Sequence, residues 1–315
     1  MANLTTTTVV PPAVREYYDR LLLMTAKPAL IHQRFAQRRT LPRKHGDTII
    51  FRRNSRLATA TVALTEGVTP PGAQLSVTDI KARIDWYGNF VILTDQLTIT
   101  VEDRILNEAS RILAINMGET LDEITRDVLG STSSVLNCSS GSTAGPPTEL
   151  TKADIDGAVL TLLGNDADPI TEVIGANDGV GTSPVRPSFW GFIHTDLLND
   201  LEQVSGFLSS SQYPNQNSVF NEEWGSTGNV RWLYSSIASV DTSGTFNIYR
   251  NFIVGREAYG AVSLESESGE FYVEPLGSSG SSDPLHQRAT VGYKAPYVAR
   301  ILNDAFMVNL QARHS

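Results

Sequence analysis

Residues 100–130 read TVEDRILNEASRILAINMGETLDEITRDVLG. Apolar side chains recur at Val101, Ile105, Ala109, Ile112, Leu113, Met117, Leu121, Ile124 and Val128, in steps of three and four that place them on one face of a helix. Thr100 is a suitable N-cap with Asp103 three residues on, as in a capping box, and Glu102 and Asp103 suit the positive helix end. Gly130 fits a left-handed stop. Such a helix reaches roughly 45 Å, the width of a domain. Gly118 inside it costs about 1 kcal/mol against alanine and allows a slight bend. An ordinary long core helix would read the same way, so its surroundings decide what it is for.

Immediately upstream the period changes from 3.6 to two. Residues 48–64 open a strand-rich run, a turn follows at Gly67-Val68-Thr69-Pro70-Pro71-Gly72, and the return alternates Ile80, Ala82, Ile84 and Trp86 against Lys81, Arg83, Asp85 and Tyr87. This pattern predicts a long hairpin over 47–95, with arms of about 15 residues or about 50 Å. An isolated two-stranded hairpin is marginal in water. Because the chain offers no third strand before the helix, the hairpin is expected to protrude and lie on another surface; a hairpin folded back on its own domain is the other reading. Further upstream, Pro12 and Pro28 bracket a predicted helix over 12–26 carrying Val14, Tyr17, Tyr18, Leu21 and Leu22, and residues 1–12 read as extended.

Downstream, residues 131–147 are rich in Ser, Gly, Thr and Pro and read as a loop. Thr151 caps a helix whose Ile155, Val159, Leu162 and Leu163 share one face. Strands are predicted at 170–174 and 189–193, a short helix capped by Thr195 at 196–203, and loop-rich chain over 206–228 anchored by Tyr213, Phe220 and Trp224. Strand-like runs follow at 246–264, 271–275, 290–294, 297–302 and 305–310, with Pro296 at an edge or bulge. These suit antiparallel strands that pack on the long helix, giving an α+β fold.

The 315 residues are 41% hydrophobic and 19% charged, ordinary for a globular protein. No apolar run approaches the length of a membrane span, and the N-terminal residues lack the pattern of a signal peptide. The single cysteine, Cys138, excludes an intrachain disulfide and a cysteine metal cluster. Net charge is −9, yet Lys27 to Arg56 holds nine basic residues against Asp47 alone. A basic arm on an acidic body suggests contact between copies or with a polyanion; a solvated arm is the other reading.

A search for chemistry finds little. There is no G-x-S-x-G elbow, no P-loop and no H-E-x-x-H, and Gly179-Val180-Gly181 runs into Thr-Ser-Pro, a turn. His32, His45, His194, His286 and His314 are scattered. His194-x-Asp196 is the nearest thing to a metal or acid–base pair, and a structural role is favoured for it. Glu119, Asp122 and Glu123 read as a solvated helix face, and Trp86, Trp190, Trp224 and Trp232 as packing residues. No catalytic residue, cofactor or metal is expected, which argues for a structural protein.

The run DPLHQRATVGYK at 283–294, followed by ARILN at 299–303, resembles the major capsid protein family of tailed bacteriophages typified by phage N-four. LTEGVTP at 64–70, WYGNF at 86–90 and GREAYG at 255–260 are similar to further blocks in the same order. His286 and Tyr293 depart from the family pattern, which more often has Asn and Trp there, and 205–245 matches poorly. The resemblance implies an HK-ninety-seven-like capsid fold: an N-terminal arm (1–46), an extended hairpin loop (47–95), a peripheral domain (96–150 and 246–315) with a spine helix at 100–130, and an axial domain (151–245).

It also implies a function, self-assembly into hexamers and pentamers of an icosahedral head shell that encloses double-stranded DNA, held non-specifically on its inner face. The partners implied are the chain itself, scaffolding, portal and cement or decoration proteins, with no membrane; the place is the virion, assembled in the host cytoplasm. Arg38, Arg39, Arg52, Arg53, Arg56, Lys81, Arg83 and Trp86 are the candidates for inter-subunit contact. Some coats of this fold crosslink a lysine to an asparagine; Lys81 could serve, but stabilisation without covalent bonds is expected. Two alternatives stand beside this reading: a nanocompartment (encapsulin-like) shell, and, from another class, a soluble β-rich enzyme or carbohydrate-binding protein.

Overall fold

The computed structural model describes residues 31–42, 46–63, 66–67, 69, 72–95, 105–139, 146–170, 187–213, 220–244, 246–264, 269–278 and 285–314, with the backbone alone for 105–108. The predicted helix at 12–26, the cap at Thr100, and most of the strand predicted at 170–174 lie outside these residues.

Among the described residues, two sheets and a hairpin carry the fold. The first sheet is built from β1 (Gln37–Leu41), β4 (Asp85–Thr94), β12 (Tyr259–Leu264), β13 (Glu270–Glu274) and β14 (Arg288–Ile301). β14 is its axis: it pairs antiparallel with β4 on one side, and with β13 and then β12 on the other. β1 closes the edge, parallel to β12. The second sheet runs in the order β5 (Val135–Asn137), β15 (Met307–Arg313), β11 (Ile248–Val254), β6 (Phe189–His194), β9 (Val230–Ser235), β8 (Glu223–Thr227) and β7 (Phe207–Ser209), with β10 (Val240–Asp241) beside β11. The hairpin is β2 (Thr48–Asn54) paired with β3 (Val77–Arg83).

The long helix is α1 (Ile105–Gly130). Ala109, Leu113, Met117 and Leu121 form its buried stripe and pack with Leu93, Val291, Tyr293 and Tyr297 of the first sheet. Ile112, placed on that stripe by sequence, is exposed, because a 100° step from Leu113 carries it off the face that meets the sheet. Tyr297 and Tyr293 fasten the sheet to the helix through hydrogen bonds to Thr125 (2.8 Å) and Asn116 (2.9 Å). Gly130 is not in the left-handed conformation. The helix tightens instead into i→i−3 bonds, with the N–H groups of Ser131 and Thr132 donating to Val128 and Leu129.

α2 (Lys152–Gly164) starts at Thr151 as expected, the carboxylate of Asp154 accepting from the Thr151 N–H at 3.2 Å. It packs with Phe189, Ile193, Trp232 and Ile253 in the core of the second sheet. Gly191 is what lets β6 lie flat there: a Cβ would fall 2.4 Å from the Trp232 ring, which is fully buried. His194, not Thr195, caps the turn at Thr195–Leu197 that leads into α3 (Leu198–Gln203), its Nδ1 accepting from the Asp196 N–H at 3.1 Å.

β11 and β15 from 246–315, and β5 from 96–150, join the second sheet. Two expectations need correction. The chain over 206–228 is not simply a loop: β7 and β8 form there, held by β9. Pro296 lies inside β14, opposite Trp86; on the far side it falls in the gap between the β13 and β12 partners, so that side of the strand has no ladder to break.

Candidate assembly surfaces

The hairpin is shorter than 15 residues an arm. β2 and β3 pair over seven residues each, with Ser55 N–H to Ser76 O adding one more bond at 2.9 Å, and the segment 85–94 expected as its returning arm is β4 of the first sheet. At the root, Ile49 and Phe51 pack with Leu41, Ala82, Ile84 and Val262. Beyond the root the apolar side chains are exposed among the described residues: Val62 is 84% exposed and Leu75 71%, with Leu57 and Val77 about half exposed. Gly67 turns in the left-handed region, at φ 78°, as the turn signal required.

The chain changes sheets at Ile84, and this reverses the alternation. Ala82 and Ile84 point inward, but Trp86, in line with them by period two, is exposed. In β4, Tyr87, Val91 and Leu93 face α1, while Trp86 (50% exposed), Phe90 (63%) and Ile92 (51%) line the opposite face. There Trp86, Gly88, Phe90, Tyr272, Gly292 and Lys294 enclose an open groove of about 380 Å³, and the Lys294 ammonium lies 4.1 Å from the Trp86 ring centre. The sheet is thus apolar on both faces, while α1 covers only one. A sheet with two apolar faces needs two covers.

The basic candidates fall into two groups. Arg38 and Arg39 lie exposed on β1, opposite Ala261 and Val262. The others lie on the hairpin and meet partners in their own chain: Arg52 with Asp79 across the pair (3.4 Å), Arg56 with Asp166 (2.8 Å), Arg83 with Asp47 (2.8 Å), and Arg53 with the Asn303 side chain (2.7 Å). The Thr48 hydroxyl and the Arg83 guanidinium hold the Asp47 carboxyl below its ordinary range. These ion pairs are exposed and individually weak. Lys81 is exposed on β3, opposite Ile50. Sequence reasoning missed Phe90, Ile92, Tyr272 and Lys294, and the period-two spacing of Trp86, Phe90 and Ile92 was the available signal.

The second sheet is braced by a buried ion pair, with Arg231 donating to both carboxylate oxygens of Glu223 at 2.7 and 2.5 Å. The same guanidinium stacks 4.4 Å above Trp190. Among the described residues no group of three His, Cys, Asp or Glu side chains could hold a metal ion. Burial, then Asp154, pushes the Cys138 thiol far up, so it is no nucleophile. No described helix is long and apolar enough to cross a membrane.

A hairpin with exposed apolar residues and a sheet with one apolar face that no described element covers suit a subunit completed by contact with other chains. Comparison with known proteins gives the class a family. The profile of the phage capsid protein family matches residues 77–308, and the chain belongs to that family. It is a major capsid protein of the phage head shell, structural rather than enzymatic, with an HK-ninety-seven-like fold. The capsid of Ralstonia phage GP4 superposes with a TM-score of 0.67 at 12% identity, covering 89% of this chain and 87% of that one. The head structure of Helicobacter pylori bacteriophage KHP40 gives 0.64 at 14%, covering 90% and 88%. The SrpI encapsulin of Synechococcus elongatus gives 0.57 at 9%, covering 90% and 87%. No curated protein matches in sequence.

Proposed function

We propose that this chain is a coat subunit of the phage N-four type, gathered as hexamers and pentamers into an icosahedral head around double-stranded DNA. The runs DPLHQRATVGYK and GREAYG support the finer assignment. The first sheet with α1 then corresponds to the peripheral domain, the second sheet to the axial domain, β2–β3 to the extended loop, and residues 1–46 to the arm. The observation that carries the assembly reading is the pair of uncovered apolar surfaces, Val62 and Leu75 on the hairpin and Trp86, Phe90 and Ile92 on the sheet. Beyond its root the hairpin touches its own subunit through polar contacts such as Arg53 with Asn303 and Arg56 with Asp166, and in this reading another copy covers each apolar surface. Repeated contacts of this heterologous kind close into shells.

Arg52, Arg53, Arg56, Lys81 and Arg83 on the hairpin, Arg38 and Arg39 on β1, and Trp86 on the sheet are the contact residues in this reading. Scaffolding, portal and cement proteins are its further partners, and packaged DNA meets the inner face without sequence preference. Electron microscopy and size-exclusion chromatography of the purified full-length chain test it. Closed shells of megadalton mass are expected; a stable species near 34 kDa at high concentration would overturn it. A nanocompartment has the same geometry, and the nucleic acid content of shells made during infection separates the two.

A further inference from the structure

Residues 31–41 touch α1, both sheets and the root of the hairpin. Ile31, His32 and Gln33 are buried although the segment is neither helix nor strand there. The His32 N–H donates to Asp122 Oδ1 at 2.7 Å, and its Nδ1 lies 2.6 Å from Oδ2 of the same carboxylate, in the second half of α1. Both side chains are wholly buried. The Tyr259 hydroxyl, from β12, donates to the His32 carbonyl. The imidazole lies 5.0 Å from Phe192 of β6. Phe35 stacks on Trp190, also of β6, at 4.5 Å. Arg34 pairs with Glu222 at 2.9 Å and covers Phe220 at 4.9 Å, both just before β8. The segment then becomes β1, parallel to β12. Helix, first sheet and second sheet are each held by side chains within a few residues of one another.

These contacts do not come apart one at a time. Releasing His32 alone would leave the Asp122 carboxylate bare in the interior, a far costlier state than one in which water reaches it. Water reaches it only when Ile31, Phe35 and β1 leave with His32. We propose that residues 31–41 are a strap that seats or lifts as one unit. Seated, it locks α1 and both sheets into one body. Lifted, it frees the end of α1 and the junction between the sheets, so that a pull on the chain before Ile31 is felt by the long helix.

Amide hydrogen exchange on the full-length subunit, followed by mass spectrometry, tests this with His32→Ala and Phe35→Leu made separately. If the strap acts as a unit, each variant raises exchange together in β1 and in α1 around Asp122. The rise is about tenfold to a hundredfold for His32→Ala, the range for losing a buried charge-assisted hydrogen bond, and smaller over the same segments for Phe35→Leu. α2 keeps its wild-type rates, as does the hairpin beyond the root that packs on Leu41. A rise confined to the substituted residue's neighbours, or one spread evenly over both sheets, overturns the proposal. If His32→Ala does not fold, Phe35→Leu carries the same two outcomes.

Discussion

Phe90→Ala separates the stability of the subunit from that of the shell. Phe90 is 63% exposed on the bare face of the first sheet. A phenylalanine side chain presents about 200 Å², so about 120 Å² awaits cover, equivalent to about 3 kcal/mol at 25 cal/mol per Å². Truncation to alanine removes most of that, about 2 kcal/mol or roughly thirtyfold in affinity for each contact that uses the face. The free subunit loses little. The Phe90 N–H keeps its bond to the Asn89 side chain at 2.9 Å, the β4–β14 ladder is untouched, and the strand-propensity cost is under about 1 kcal/mol. Sedimentation velocity over a concentration series should show the threshold for assembly raised by roughly thirtyfold or more. Urea unfolding of the subunit should be nearly unchanged. An assembly threshold within about twofold of wild type, with normal unfolding, would refute the assignment of this face to a neighbouring copy.

Charge reversal of the hairpin, Arg52→Glu with Arg53→Glu, breaks in its own chain the exposed contacts to Asp79 and Asn303 and a long one to the Leu302 carbonyl. The subunit should melt normally while shells assemble poorly, more so at low salt, as turbidity and electron microscopy would report. Arg231→Met strands the buried Glu223 carboxylate and should cost about 3–5 kcal/mol in urea unfolding. Adding Glu223→Leu should recover much of that loss. Burial pushes the Tyr213 phenol up to about 12 and raises Tyr259 and Tyr297 further. Stability is therefore complete below about pH 10, where the unfolded phenol begins to ionise, and falls as pH rises toward the folded values. A melting series in alkaline buffers should show that fall, and Tyr213→Phe should reduce it.

The parts of the fold that follow from local period were legible. The α1 stripe, the capped start of α2 and the strand at Phe189 all arise where a short-range pattern agrees with the packing. What failed depends on which strand pairs with which. β7 and β8 are short and polar and become strands only because β9 lies beside them. The sheet that β11 and β15 join was not legible, because pairing across tens of residues leaves no mark in their own composition. Trp86 was placed with Ile84 because the alternation carries no sign of a change of sheet. Trp86, Phe90 and Ile92 fall on one face of β4 by period two, but nothing in their spacing shows that this face has no cover among the described residues. That absence, visible only in three dimensions, is what marks the site.

The order of strands along the chain also bears on synthesis. β14 is the axis of one sheet, and β15 joins β5 to β11 in the other. Both come after residue 287. A chain still on the ribosome therefore lacks the middle of one sheet and a link of the other until translation has passed Arg313. Long-range pairing of this kind folds slowly. A half-made subunit has no finished surface to offer, so nascent chains are kept out of a growing shell by topology alone.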